Sequence, residues 1–324
     1  SVKRSVILRV ISYSADFSDS VEAPSLSLTV IPVYSVRASS LGGGSVTVSP
    51  PSGPYPSNSV ASVTATPAAG WSFMGWLGNA TGTNLSTEIA INGDKCVEAV
   101  FGTALSTGVA GAGGVQVNPS VSLYPYGTVA LLTAKPGAGS FFGAWGNAAS
   151  GNSNPLHFAI TDANATVSAV FGSLGANQVS LAVSPGWGGR VVVAPRANVY
   201  PSGSTVTITA SPDPGQDFLG WSGDAAGMKS PLLVVLNSSK FIAADFTMRP
   251  VLSVEACPNG LKADGFWLTL TGALGRAFRL DASTNLTRWL PVKVATNTLG
   301  RIEFVDPAAS NSTSTFYRAE LMPE

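Results

Sequence analysis

The stretch Phe218-Leu219-Gly220-Trp221-Ser222-Gly223-Asp224 decides the fold, because the chain contains its pattern three times. The Phe-x-x-Trp pair returns as Phe73 with Trp76 and as Phe142 with Trp145. A Tyr-Pro motif precedes each pair, beginning at Tyr55, Tyr124 and Tyr200. A Thr-Ala-x-Pro motif follows it, at Thr64–Pro67, Thr133–Pro136 and Thr209–Pro212. Each repeat then ends on a phenylalanine: Phe101, Phe171 or Phe246. A repeat of this length is typical of a modular array.

Short apolar runs in each copy alternate with glycine and proline turns, which predicts β-strands. No segment has the apolar period of a helix. The glycines at the start of each copy, such as Gly42–Gly44 and Gly188-Gly189, predict hairpin turns with positive φ. Alternation in the closing strands places one phase in a core. We expect these aromatic residues to fill the repeat cores: Phe73, Trp76, Phe101, Phe142, Trp145, Phe171, Phe218, Trp221 and Phe246.

The predicted fold is an all-β tandem array. Three small β-repeat modules cover residues 34–102, 103–174 and 175–249, and we expect them to lie in a row with contacts between neighbours. Residues 250–324 break the repeat and contain six strand-like runs, which predicts a C-terminal β-sandwich-like module. Residues 1–33 contain two strand-like runs around a polar stretch, which predicts an N-terminal β-hairpin.

Composition narrows the class of protein. The 324 residues have a net charge of zero, and only 11% of them are charged, against roughly 25% in ordinary soluble domains. No basic stripe is present to bind nucleic acid or an anionic membrane, and no apolar run is long enough to span a bilayer. The chain starts at Ser1 without a signal peptide, and we expect a processed or trimmed extracellular or cell-surface protein.

Two cysteines, Cys96 and Cys257, are too few for a disulfide framework. They fall in different predicted modules. In a straight row, two modules would separate them by far more than the ~7 Å that a bridge allows between Cα atoms. Three alternatives remain open at this point: unpaired thiols, an intrachain bridge in an array that folds back, and a bridge between chains.

The N-terminal strand has apolar residues on both faces: Val6, Ile7, Leu8, Val10 and Ile11. This pattern is typical of a strand buried on both sides. The hairpin either completes the neighbouring module, or belongs to an upstream domain, or inserts into another molecule by strand addition. We predict these five residues as a subunit interface through which copies of the chain join head to tail.

No residue pattern predicts catalysis, a cofactor or a metal site. His157 is the only histidine and has no evident catalytic partner. Asp213, Asp217 and Asp224 surround the Trp221 turn, but their spacing fits no calcium loop. Tyr55, Tyr124 and Tyr200 recur at equivalent positions, which favours packing over a sugar-binding platform.

The motif Gly-Gly-x-Val, Tyr-Pro, Thr-Ala-x-Pro and Phe-x-x-Trp-x-Gly-(Asn/Asp) resembles the divergent internalin B-type repeat of bacterial surface and secreted proteins. The third copy matches best, from Gly188 to Asp224, whereas the second has only Gly146-Asn147 after its tryptophan. Residues Leu280–Leu286, Trp289, Phe304–Ala309 and Phe316–Ala319 resemble a module at the ends of secreted proteins from environmental bacteria. These resemblances imply secretion or surface display, with spacer or adhesion roles and no catalytic site.

The sequence therefore predicts a non-enzymatic extracellular structural protein, a subunit of a bacterial surface filament or stalk assembled from copies of itself. One alternative is an adhesive array that binds a glycan or a surface protein, which requires exposed Tyr and Trp side chains. Another is the spacer tail of a larger secreted enzyme.

Overall fold

A computed structural model describes residues 5–51, 53–254, 261–262, 265–306 and 314–323. All the regular secondary structure of these residues is β-strand, which confirms the predicted all-β class. The N-terminal hairpin contains four short strands: β1 Val6–Leu8, β2 Ile11–Tyr13, β3 Ser20–Glu22 and β4 Leu26–Leu28.

Each repeat is built from two small sheets that enclose one core. Repeat 1 contains β5 Val33–Tyr34, β6 Val36–Ser40, β7 Gly44–Ser49, β8 Tyr55–Pro56, β9 Ser59–Pro67, β10 Ser72–Gly78, β11 Ser86–Ile91 and β12 Lys95–Thr103. Strand β6 runs parallel to the closing strand β12, which also pairs with β10. The facing sheet has the order β11-β9-β7. Side chains from both sheets form a single apolar cluster.

Repeats 2 and 3 have the same plan. Repeat 2 contains β13 Leu105–Ala110, β14 Gly113–Asn118, β15 Tyr124–Pro125, β16 Val129–Pro136, β17 Ser140–Asn147, β18 Leu156–Ala159 and β19 Ala165–Ser173. Repeat 3 contains β20 Gln178–Pro185, β21 Gly189–Ala194, β22 Val199–Pro201, β23 Ser204–Pro212, β24 Phe218–Gly223, β25 Leu232–Leu236 and β26 Lys240–Phe246. The facing sheets have the orders β14-β16-β18 and β21-β23-β25, so β18 and β21 are both edge strands.

A β-bulge brings the two aromatic residues of each repeat onto the same face. In a regular strand, residues three apart point to opposite faces. The register shifts between Phe73 and Gly75, and at the equivalent points of the other repeats, so Phe73 and Trp76 both face the core. Their ring centroids are 5.1 Å apart, and Phe73 also contacts the closing Phe101 at 5.8 Å. The same aromatic trio recurs in repeats 2 and 3.

Buried polar groups of these aromatic residues are satisfied in the same way three times. The indole Nε1 of each tryptophan donates to a main-chain carbonyl eight residues later: Asn84, Ser153 and Lys229. The hydroxyl of each Tyr-Pro tyrosine donates to a proline carbonyl five residues earlier: Pro50, Pro119 and Pro195. Burial raises the pKa of Tyr124 and Tyr200. The repeated Tyr and Trp positions are therefore structural.

One glycine of each copy makes room for the closing phenylalanine. A Cβ on Gly113 would lie 2.6 Å from the Phe171 ring, and Gly44 and Gly189 approach Phe101 and Phe246 equally closely. Such an approach is closer than carbon atoms tolerate, which explains the glycine beyond any turn geometry.

We expect Gly113→Ala to destabilise the protein by about 1–3 kcal/mol, because the added methyl group overpacks the core of repeat 2. Gly114→Ala is the matched control, since nothing lies within 4 Å of its Cβ position. Urea unfolding of the two variants measures the difference. Equal stabilities would show that the Phe171 ring moves aside and that the glycine is not required for packing.

The C-terminal module is a sandwich around Leu268, Leu270, Phe278, Leu280, Ile302 and Phe304. Its strands are β27 Val251–Ser253, β28 Leu261–Lys262, β29 Gly265–Thr271, β30 Ala277–Ser283, β31 Leu290–Thr296, β32 Ile302–Asp306 and β33 Phe316–Leu321. In one sheet β29 pairs with β27, β28 and β32, and the other sheet has the order β31-β30-β33. All six predicted strands are present, together with the additional short strand β28.

The C-terminal module returns to contact repeat 1, so the chain folds back on itself beyond the three repeats. The backbone N–H of Gly78 donates to Glu303 at 2.5 Å, and Arg301 pairs with Glu98 at 3.2 Å. Val100 of repeat 1 is buried, whereas the equivalent residues of repeats 2 and 3, Val170 and Asp245, are exposed. A repeat pattern specifies each module and carries no information on the angles between modules.

Candidate functional site

The N-terminal hairpin forms its own two-stranded ribbon. Strand β1 pairs with β4, placing Val6 opposite Leu28 and Leu8 opposite Leu26. Strand β2 pairs with β3 beyond an irregularity, and the Val10 carbonyl accepts from the Ala23 N–H. Because opposed residues share a face, Val6, Leu8 and their two partners form one apolar stripe.

The hairpin exposes its apolar side chains. Ile7 and Val10 are 65% and 66% exposed, and Leu8, Ile11 and Leu26 each expose about half of their surface. No described hairpin residue belongs to any of the four core clusters. An isolated two-stranded hairpin is marginal in water, and a continuous apolar patch of this kind is typical of an interaction surface.

Two expectations for this segment need correction. The hairpin does not complete repeat 1, because its strands pair only with each other among the described sheets. The strand that was expected to be buried on both faces is exposed within this chain. In the described part of the chain, no module packs against the apolar residues of this strand, which are Val6, Ile7, Leu8, Val10 and Ile11. Their role as a subunit interface stays a prediction.

The hairpin tip is acidic, and local hydrogen bonds join the residues of its turn. Asp16 accepts from the hydroxyl groups of Ser18 and Ser14, both at 2.7 Å. These bonds lower the pKa of Asp16 to about 2, so the carboxylate is ionised at neutral pH. Next to it, Phe17 is 79% exposed. The tip therefore presents a negative charge beside an unburied aromatic ring.

Cys96 is disulfide-bonded, which removes the alternative of two unpaired thiols. The only other cysteine of the sequence, Cys257, lies outside the described residues. Cys96 lies on the outward phase of β12, two residues from Glu98 on the side that meets the C-terminal module.

Arg301 carries the positive charge in the contact between the C-terminal module and repeat 1. It pairs with Glu98 and with Glu303 at 3.2 and 3.3 Å. Burial by itself would lower the pKa of Arg301, but the hydrogen bond that Arg301 donates to Glu98 and the charges of both glutamates raise it overall. Sequence analysis missed this cluster. The available signal was that Glu98 occupies a position where the other repeats have Ser168 and Ala243.

The predicted core aromatic residues lie in the repeat cores, where seven of them are buried and Phe73 and Phe218 are partly buried. Tyr55, Tyr124 and Tyr200 are at most 6% exposed, so none of them is a sugar-binding platform. Asp217 pairs with Arg249 at 2.6 Å, and Asp224 accepts from the Phe241 N–H. Across the described ranges, no three His, Cys, Asp or Glu side chains come together as a metal site requires.

A cleft of about 410 Å³ lies between repeats 2 and 3, and we call it the repeat 2–3 cleft. Residues 153–157 of repeat 2 and residues 190–193 of repeat 3 form its walls, and the buried Leu181 and Val183 also line it. His157, Arg190 and Arg196 line it as well, with no carboxylate among the lining residues. Its volume falls within the ~300–1,000 Å³ of ordinary binding pockets.

The two repeats are held firmly on either side of this cleft. Thr133 donates to Ser184 at 3.2 Å in a buried contact, and the Lys135 ammonium lies 3.8 Å from the Phe241 ring centroid. At the mouth of the cleft, Asn198 donates to the Asn152 carbonyl at 3.0 Å. The cleft is therefore a built feature of the array.

No helix that is long and apolar enough to cross a membrane occurs in the part of the chain that the structure covers. The chain matches none of the curated proteins with which it was compared. A family model described as the divergent InlB B-repeat domain matches it three times, at residues 34–104, 105–174 and 179–250. The C-terminal module lies outside these matches. Since the three copies cover well over half of its length, the chain belongs to the divergent InlB B-repeat family.

Proposed function

We propose that this chain is a non-enzymatic structural protein of the bacterial cell surface that assembles head to tail through its N-terminal hairpin. The family is associated with cell-surface or extracellular proteins, and its repeat domains are generally non-catalytic. The disulfide at Cys96 supports the same compartment, because disulfides persist in oxidising surroundings.

The observation that carries the proposal is the contrast between the modules and the hairpin. Each module buries its own aromatic core, whereas the hairpin leaves Ile7, Leu8 and Val10 in water. Burying such residues gains roughly 1.5–3 kcal/mol each. A partner that covers the hairpin therefore removes its main source of instability. A contact between different surfaces of two copies repeats into an open chain unless it closes into a ring.

The test is self-association of the intact chain, measured by light scattering after size-exclusion chromatography and by negative-stain electron microscopy. We expect filaments or ladders whose length grows with concentration. Leu8→Glu with Leu26→Lys replaces an opposed apolar pair by an opposed ion pair, which preserves the hairpin and removes the stripe. We expect this variant to be monomeric.

Leu233→Glu with Val235→Lys is the matched control, because both residues are exposed on one face of β25. It should assemble like the parent chain. A parent chain that stays monomeric at all concentrations would overturn the proposal. It would favour the spacer tail of a larger enzyme, or a hairpin that belongs to an upstream domain.

A further inference from the structure

The rim of the repeat 2–3 cleft carries unpaired positive charge. Among the described residues, neither Arg190 nor Arg196 forms an ion pair. Most of the other described arginines pair with a carboxylate. Neither arginine has a counterpart in the sister repeats, where Ser45 and Gly114 align with Arg190. In a chain that is only 11% charged, two unopposed guanidinium groups on one cleft point to an anionic ligand.

The cleft walls are also free strand edges. Strand β18 pairs only with β16, and β21 pairs only with β23. Four consecutive residues of β21 line the cleft. Side chains of a strand alternate between the two faces of its sheet. A cleft that four consecutive residues line therefore borders the edge of the strand and not one face alone. A free edge offers main-chain hydrogen bonds to an incoming extended segment.

The hairpin tip has the complementary properties. Residues 14–19, Ser-Ala-Asp-Phe-Ser-Asp, carry two carboxylates and no cation. Phe17 is the most exposed large apolar side chain of the described residues. The lining of the cleft offers the buried Leu181 and Val183 behind its basic rim. The negative charge of the tip thus complements the positive charge of the cleft, and the exposed Phe17 ring complements the apolar side chains of Leu181 and Val183.

We propose that the repeat 2–3 cleft is the acceptor site for the hairpin tip of a second copy of this chain. Phe17 enters the cleft, and the carboxylates of Asp16 and Asp19 pair with Arg190 and Arg196. This inference rests on the proposed assembly through the hairpin and names the other half of its contact. Because the hairpin and the cleft are different surfaces, each copy donates one tip and receives another.

The test exchanges the charges of the two surfaces. Arg190→Glu with Arg196→Glu reverses the cleft. Ala15→Arg with Asp19→Arg reverses the tip and leaves Asp16, which orders the turn, in place. We expect each double variant to need an about hundredfold higher concentration for self-association, since like charges then face each other. The chain that carries all four substitutions should assemble again.

Salt and a matched charge control separate this contact from a purely apolar one. Lys229→Glu with Arg288→Glu changes the net charge as the cleft variant does, at two exposed positions away from the cleft. It should assemble normally. Self-association of the parent chain should weaken as the salt concentration rises, because the paired charges lie at the rim.

The outcomes distinguish the acceptor site from the assembly itself. If the cleft variant assembles like the parent while the Leu8→Glu, Leu26→Lys variant does not, the acceptor lies elsewhere and this inference is wrong. If the parent chain does not assemble at all, the proposed function fails. Loss in both charge variants with recovery in the fourfold variant supports the cleft as the acceptor, because a general effect of charge would not be reversed.

Discussion

Replacing Trp145 with alanine will lower the free energy of unfolding of repeat 2 by about 3–5 kcal/mol, the usual cost of removing a large buried aromatic side chain. Trp145 is 4% exposed and contacts Phe142 at 4.8 Å between ring centroids. Its Nε1 donates to the Ser153 carbonyl at 2.7 Å. The substitution removes packing and leaves this carbonyl without its donor, so both losses act in the same direction.

Hydrogen exchange measured by mass spectrometry is the suitable readout, because an array of modules need not unfold in two states. We expect faster exchange throughout β16, β17 and β19, whereas repeat 1 should change less. Trp145→Phe is the control. It keeps a six-membered ring but loses three ring atoms and the hydrogen bond, so its effect should be smaller, about 1–3 kcal/mol. An alanine variant as stable as the phenylalanine variant would mean that the aromatic trio is not the core of the repeat.

The residues that recur in all three copies were enough to predict the modules. Alternation in the closing strand identified Phe101 and its equivalents as core residues, and they are buried. The two aromatic residues of Phe-x-x-Trp were also predicted as core residues, but the sequence did not explain how both could face the core. A spacing of three contradicts strand alternation, and only the bulge reconciles the two.

The candidate sites lie where the copies differ. Glu98 replaces a small residue of the sister repeats and meets Arg301. Arg190 replaces a small residue of the sister repeats and lines the repeat 2–3 cleft. A pattern shared by all copies records what every module needs for folding, so it hides these positions. Contacts such as that of Gly78 with Glu303 join residues far apart in sequence, and no local pattern predicts them.

Replacing Cys96 with serine will release the C-terminal module from repeat 1. Cys96 is disulfide-bonded, and we expect its partner to be Cys257 of the same chain. Described residues of the C-terminal module already contact repeat 1 at Glu98, two positions along the same strand. Such a bond closes a loop of about 160 residues, and the chain-entropy model gives it about 5 kcal/mol.

Peptide mapping of the unreduced protein identifies the partner of Cys96, and a crosslinked dimer on a non-reducing gel would contradict the intrachain bond. Thermal unfolding of Cys96→Ser should begin at a lower temperature than that of the parent chain. The repeat cores should unfold later, because each is packed independently of this bond. Arg301→Met is the matched comparison, since it removes the cation of the ion pairs with Glu98 and Glu303 and leaves the disulfide intact. Its smaller effect, about 1–3 kcal/mol, would show that the covalent link dominates the docking of the C-terminal module.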